Sequence, residues 1–430
     1  MTAGSDPLRL AILGINYAPE EIGIARYTTD MANALAARGH QVEVIAGKPY
    51  YPQWTTYLPF RSGGWRKGRE SGVAITRCPH YVPADPSGPR RILHLASFAA
   101  AALGPALKLV FRPGPARPQV VICVVPALLC VPVAWLAARL SGAKLWVHVQ
   151  DFEVEAAFAT GLVASRAPLV KLAQALENRL LRLADRASTI SPQMCDGLVR
   201  KGVRADRIVQ IRNWADAQFK PDPEAGAAFR HGWGLGQAHV ALYSGNIANK
   251  QGIDILIAAA RLTAHRRDII WVICGQGPNR AQLEALAAGL DNVQFHNLQP
   301  SGRMGELLAL ASVHLLPQIP GAADLVLPSK LTNILASGRP VVATAQRGTG
   351  LSDEVEGCGV VTPPGDAAGL ARAVAELIDD PQRRQELGQA AQRRARERWA
   401  RERIIDRLEN ELQLICQPRP APVGEFGQAR

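Results

Sequence analysis

Two alternating patterns of apolar residues run along this chain. Runs that are apolar at nearly every position, "LRLAILG", "QVEVIAG", "PQVVICVV" and "KLWVHVQ", have the length and β-branched content of strands buried on both faces. Between them lie stretches with apolar residues at helical spacing, the first being "GIARYTTDMANALAARGH", which close near a glycine or a basic residue. Strand and helix repeated in this way predict a parallel sheet covered by helices on both faces. The rhythm continues through "RASTI" and stops after "RIVQIRNWAD". A Pro- and Gly-rich stretch follows, and a second alternation then begins with "HVALYSG", "DIIWVICG", "NVQFHN", "SVHLLP" and "PVVATA", interleaved with helical runs such as "GIDILIAAARL" and "NRAQLEALAAGL". The expected fold class is α/β: two doubly wound Rossmann-like domains, 1–216 and 238–415, joined by a linker at 217–237, with a closing helical stretch from Pro381 to Ile415 and a disordered tail at 416–430. Open α/β sheets bind ligands beyond the carboxyl ends of their strands, so a cleft between two facing sheets is the expected site.

Two apolar segments are long enough to be tested as membrane spans. Val120 to Ala138 carries no charge but contains Pro126 and Pro132, and it divides into a strand, a turn and the helix "ALLCVPVAWLAARL", which is a globular pattern. Ile92 to Phe111, with Lys108 inside, fits a core helix, a helix lying in a lipid interface, or a span. Charge bears on the choice. The 430 residues carry a formal net charge of +12, and between Arg61 and Arg91 seven Lys or Arg stand against two acids, Glu70 and Asp85. That basic stretch contains Trp65 and runs directly into Ile92–Phe111, which points to an anionic membrane surface rather than nucleic acid. The seven cysteines are scattered without a C-x-x-C pair, and "LRLAILGI" is too short for a signal h-region and carries Arg9. A cytoplasmic protein, peripheral on the inner face of the cytoplasmic membrane, is expected. With no metal-spaced histidines and no D-x-D triplet, the chemistry is expected to run without bound metal or other cofactor.

The candidate chemistry lies in loops that leave strands and enter helices. In "ALYSGNIANKQGIDIL", Gly245 permits a tight turn, Asn246 follows it, and the next helix aims unpaired N–H groups and about half a positive charge at the loop. Lys250 adds a full charge, worth about 4 kcal/mol against one phosphate charge at about 4 Å and an effective dielectric of about 20. That exceeds the dipole's contribution of roughly 0.3–1 kcal/mol, so Lys250 is expected to dominate phosphate binding. "CGQGPNR" places Gly277 in a second such loop, without the third glycine or the following acid of a dinucleotide fingerprint. In "GAADLVLPSKLTNILASGRP" a helix begins at Pro328 and Ser329, with Asp324, Lys330 and Asn333 near its start and Leu331, Ile334 and Leu335 on the sheet side. In the first half, "GINYAPEEIGIARYT" brings Gly23 to a helix start, and "WVHVQDFEVEAAF" puts His148 and Gln150 on one face of a strand and Asp151 at its exit. A lone strand histidine is more often packed than catalytic; Asp151 is the stronger catalytic candidate.

Taken together and in order, these pieces resemble the retaining, metal-independent glycosyltransferases of GT-B fold, family four, from about Leu8 to Ile415. "GINYAPEEIGIARYTTDMANALAARGHQVEVIAGKPYYPQW", "VQDFEVEAAF" and "YSGNIANKQGIDIL" look like the colanic acid type of exopolysaccharide glycosyltransferase. The resemblance implies a nucleotide-sugar donor, GDP- or UDP-linked with GDP-fucose favoured, and a lipid-diphosphate-linked oligosaccharide acceptor. It implies that Asn246 and Lys250 lie in the loop that grips the diphosphate, that Gly277 forms the G-x-G-P turn, and that Gly23 approaches the same group. Three motifs depart from the family pattern. Asn246 stands where an arginine is common; Asp324 (or Leu325) and Asn333 occupy the acids of E-x7-E; Gln150–Asp151 replaces a His–Asp pair. A GT-B-fold sugar-nucleotide epimerase and a non-catalytic nucleotide-sugar scaffold are the alternative functions, and want of the fingerprint argues against an NAD oxidoreductase.

Overall fold

The structure is a computed structural model and describes residues 6–21, 23–152, 167–215, 224–247, 252–319 and 330–417. The chain forms two compact units, with crossings near residues 191–194, 212 and 405.

The first unit is built on eight strands: β1 (Arg9–Gly14), β2 (Gln41–Gly47), β3 (Arg66–Glu70), β4 (Val73–Cys78), β5 (Val120–Val125), β6 (Lys144–Val149), β7 (Arg186–Thr189) and β8 (Ile208–Gln210). Their order across the sheet is β3-β4-β2-β1-β5-β6-β7-β8. All neighbours pair in parallel except β3 with β4, so the parallel sheet expected from sequence acquires one antiparallel edge. β3 reads "RKGRE", is exposed along its whole length and has no apolar alternation to announce it. The Ser71-Gly72 turn creates it: φ is +48° and +83° at the two residues, the left-handed pair that a tight two-residue hairpin requires. At the centre every residue of β5 is buried, as a strand covered by helices on both faces must be.

The Ile24–Ala37 helix lies on this sheet through Ala25, Met31, Ala32 and Leu35, and the Gly88–Val110 helix through His94, Phe98, Ala102, Ala106 and Leu109. The helical stretch expected from Pro381 to Ile415 is two helices, Pro381–Arg398 and Arg401–Cys416, and from Ile405 the second belongs to the first unit. Arg38 bridges to Asp406 and Glu409, both at 2.7 Å, and Arg186 pairs with Glu411, which holds this helix against the first sheet.

The second unit carries β9 (His239–Ser244), β10 (Ile269–Cys274), β11 (Val293–His296), β12 (Val313–Leu316), β13 (Val341–Thr344) and β14 (Gly359–Thr362) in the order β11-β10-β9-β12-β13-β14. All described pairings are parallel. One face is closed by Leu256, Ile257 and Ala260 of the Asp254–Leu262 helix with Leu370, Val374 and Leu377 of the Ala367–Asp379 helix. The other packs on Leu331, Ile334 and Leu335, the sheet-side residues expected from sequence, in the Lys330–Ala336 helix. The stretch read as a linker includes a one-turn helix, Ala227–Gly232, which buries Phe229.

Candidate active site

In the second unit, three segments distant in sequence meet at the carboxyl ends of β9 and β10. β9 exits into Gly245, whose φ of +136° is open to glycine and strained for any other residue. The Gly245 N–H donates to the Cys274 carbonyl at 2.9 Å, and the Ile247 N–H to the Gln276 carbonyl at 2.9 Å, so the loops after the two strands are laced together by backbone alone. No room for side chains is left between them. A Cβ on Gly275 would collide with the Gly245 carbonyl oxygen, and one on Gly277 with the Ile247 carbonyl oxygen. Both glycines of "CGQGPNR" are therefore sites of close backbone approach.

The third segment is the start of the Lys330–Ala336 helix. Lys330 Nζ donates to the Tyr243 hydroxyl at 2.8 Å and lies 4.1 Å from the centroid of that ring, while the hydroxyl donates to the Asn246 carbonyl at 2.6 Å. The ammonium also stands against Gly245, since a Cβ there would come within 2.7 Å of it. A cation, a buried tyrosine and the post-β9 backbone thus form one hydrogen-bonded chain. Burial pulls Lys330 down from the ordinary ammonium value to about 7 and pushes the Tyr243 phenol up. Asn246 itself is exposed, and Asn333 sits partly buried one turn beyond Lys330.

The depressed ammonium has a measurable consequence. Below about pH 7 both folded and unfolded chains hold the Lys330 proton; between about 7 and the ordinary 10.5 only the unfolded chain does. Stability contributed through this residue therefore rises as pH increases through that window. Wild type minus Lys330→Met, compared by urea unfolding from pH 6.5 to 10, should show a slope of up to about 1.4 kcal/mol per pH unit, that of one proton. A flat difference would show that the ammonium is not buried as found.

Beyond the β9 loop, Gly252 turns the chain with φ +59° into the Asp254–Leu262 helix, whose first turn has no side-chain cap. Its amino terminus borders a cavity of about 250 Å3 shared with Ile247, Asn279 and Gln282. Asp254 in that turn already places a negative charge at the helix tip. Lys250 and Asp324 lie outside the described residues, as do Gln251, Leu325, Pro328 and Ser329.

In the first unit, Gly23 caps the Ile24–Ala37 helix with φ +63°, no side-chain cap, and open space where a Cβ would stand. Asp151 leaves β6 partly buried, next to buried Gln150 and Phe152. His148 is a packed core residue: its Nδ1 is 2.8 Å from Ser188 Oγ, and burial lowers its pKa to about 4. Glu20 was not singled out from sequence, yet it organises the loop that precedes Gly23. It is 2 % exposed, accepts the Tyr50 and Tyr51 N–H groups at 2.7 and 2.9 Å, and takes a third bond from Asn16 Nδ2. Burial raises its pKa above the ordinary carboxyl value, opposed by these three donors. Its only sequence signal is an acid in a strand-to-helix loop, which is common on surfaces.

The chain matches the family described as Glycosyl transferase 4-like domain over residues 23–214 and that described as Glycosyl transferases group 1 over residues 230–394. It is 40% identical over 383 residues to a protein of Escherichia coli (strain K12) named as the colanic acid biosynthesis glycosyl transferase WcaI, covering 86% of this chain and 92% of that one. Among solved structures, a sucrose-phosphate synthase from Thermosynechococcus elongatus superposes with a TM-score of 0.71 at 18% identity, over 95% of this chain and 99% of its own. Anabaena HepE in complex with UDP does so with 0.69 at 15%, over 95% and 100%. Two doubly wound sheets, one following the other along the chain, are the GT-B architecture, and the chain belongs to the family-four glycosyltransferases that have it. Within that family it is of the exopolysaccharide, colanic acid type.

Proposed function

We propose that this protein moves a glycosyl unit, fucose foremost, from a GDP- or UDP-linked donor to a lipid-diphosphate-linked oligosaccharide during exopolysaccharide synthesis, with retention of configuration and without bound metal. The observation that carries this reading is the convergence of Gly245, Gly275, Gly277 and Lys330 on one spot in the second unit. Crowded backbone with an ammonium beside it is what an oxygen-rich diphosphate fits. UDP in the HepE structure, on a similar fold, lends support to a nucleotide ligand. Asn246 and Lys250 are assigned to the diphosphate, Gly277 to its close approach, Asp324, Lys330 and Asn333 to the ribose and phosphates, and Gly23 to the diphosphate. Asp151 is assigned to the acceptor hydroxyl.

In the reaction, the bond from the anomeric carbon to the diphosphate oxygen breaks, the acceptor hydroxyl oxygen bonds to that carbon on the same face, and its proton passes to the departing phosphate oxygen. No enzyme nucleophile is required. The protein's part is to hold both substrates in register and to stabilise charge growing on the leaving group. The acceptor would be met at the inner face of the cytoplasmic membrane, with the protein peripheral on anionic lipid.

Thermal-shift measurements across UDP and GDP sugars, followed by transfer to lipid extract from the producing cell, test the reading. One base series should stabilise the protein by about 2.7 kcal/mol at a hundred times Kd, with GDP-fucose strongest, and sugar should appear on lipid. Product formed with no acceptor would favour the epimerase, and binding without transfer the scaffold.

A further inference from the structure

We propose that the exposed face of the Gly88–Val110 helix, together with Trp65 and the basic strand β3, is the surface by which this protein rests on an anionic bilayer, with the helix lying in the plane of the lipid interface. The proposal rests on the membrane contact proposed above and assigns it a face and an orientation.

The helix is apolar on two sides. One side is in the core, and a surface helix would ordinarily carry charge on the other. Here the other side continues apolar: Ile92 and Leu93 are 59% and 55% exposed, the stripe runs on through exposed Ala96, Ala100 and Leu103, and Phe111 just beyond the end is 83% exposed. At about 100° per residue these positions fall within one half of the helix surface. No acid occurs anywhere in the helix. Trp65 lies alongside, 56% exposed, with its indole N–H donating to the Ala101 carbonyl at 2.9 Å. An aromatic ring with one polar contact and an exposed apolar edge suits the headgroup boundary.

Cations frame the stripe. Lys67 and Arg69 project from the fully exposed β3 on the same side as Trp65, Arg90 and Arg91 open the helix, and Lys108 lies near its end. Of the basic residues between Arg61 and Arg91, Arg77 alone is buried. The nearby acids are already engaged, Glu70 with Arg77, Asp85 with Arg90 and Glu43 with Arg112. Arg69 and Arg112 also line, with Arg9, Glu43 and Leu109, a cavity of about 530 Å3 at the foot of the helix, roomy enough for a phosphate headgroup. An apolar stripe edged by cations complements an anionic lipid surface, whereas a second copy of this chain would bring the same charges face to face.

Length would allow the 23-residue helix to cross a bilayer. Its packing does not favour that. Phe98, Ala102 and Ala106 are fully buried, and His94 Nδ1 lies 2.5 Å from the Tyr81 carbonyl. Crossing would strip this side from the core, while lying flat leaves it in place.

Sedimentation with vesicles of phosphatidylglycerol or of phosphatidylcholine, at low and high salt, tests the assignment on the full-length protein. Wild type should pellet with the anionic vesicles only, and high salt or alkaline carbonate should release it. The triple substitution Ile92→Glu, Leu93→Glu and Leu103→Glu should weaken binding at least tenfold, and Lys67→Gln with Arg69→Gln about fivefold per charge. Brominated lipid should quench wild-type fluorescence more than that of Trp65→Phe. Each variant is first checked for unchanged Tm and for wild-type thermal shift with nucleotide sugar. Vesicle binding by variants equal to wild type would overturn the face while leaving membrane contact intact. Absence of any binding to anionic vesicles would overturn both, with donor binding still readable separately. Resistance to carbonate would overturn the in-plane orientation.

Discussion

Substitution of Lys250→Ala is expected to lower the rate of transfer about a thousandfold with the fold intact. The magnitude follows from charge. An ammonium about 4 Å from a phosphate oxygen contributes about 4 kcal/mol at an effective dielectric of about 20, and its contribution grows as the diphosphate takes up the electron pair of the breaking bond. Redundancy is low, because Asn246 stands where an arginine is common in the family. The helix tip does not compensate, with Asp254 in its first turn and a dipole worth roughly 0.3–1 kcal/mol. Lys330 is held by Tyr243 and titrates near 7, so at neutral pH it supplies only part of a charge. Stability should be unchanged, since the apolar core of the second unit is built from its strands and helices. Single-turnover transfer with saturating donor is the measurement. A rate within tenfold of wild type would remove Lys250 from the leaving group and with it the proposed mechanism.

The second large effect is one of stability. Gly275→Ala adds a single methyl group, yet that carbon would collide with the Gly245 carbonyl oxygen and come within 3.3 Å of the Ile247 side chain. Neither neighbour is free to yield. The Gly245 N–H is bound to Cys274, and the Gly275 N–H donates to the His296 carbonyl at 2.9 Å, so β9, β10 and β11 are pinned on both sides of the intrusion. Overpacking of a rigid site commonly costs about 1–3 kcal/mol, and displacement of the paired backbone places this substitution at the upper end. Donor-induced thermal shift should be lost as well, because the same loops are the ones proposed to hold the donor diphosphate. Gly305→Ala is the contrasting control: it lies in the Met304–Ala309 helix with nothing near its would-be Cβ, and should stabilise by about 0.4–1 kcal/mol. Urea midpoints decide between the two, and equal midpoints would mean that the loops can separate freely.

Much of this protein could be read from residue order alone. The parallel strands from β1 to β13, apart from β4, and the buried side of the Lys330–Ala336 helix followed from hydrophobic period, because a two- or 3.6-residue repeat reports directly which positions face away from water. Turn glycines were legible for a similar reason: Gly23 and Gly245 adopt positive φ, which the local chemistry of strand-to-helix loops anticipates. β3 escaped notice because a polar strand with both faces wet has no period, and β4 and β14 were not singled out either.

What residue order determined, then, was the set of elements, their alternation and which face of each seeks cover, all properties set within a few residues of chain. Tertiary structure alone decided what each face meets. It sent the Arg401–Cys416 helix back to the first sheet through Arg38 and Arg186, buried Arg77 while leaving its basic neighbours exposed, and tied Glu20 to backbone thirty residues away. It also set Lys330 on Tyr243, 87 residues earlier in the chain. An amphipathic period specifies that a face is buried but carries no address for its partner. Pairings between distant residues arise only when the whole chain closes, and the shifted titration of Lys330, which depends on such closure, was invisible until then.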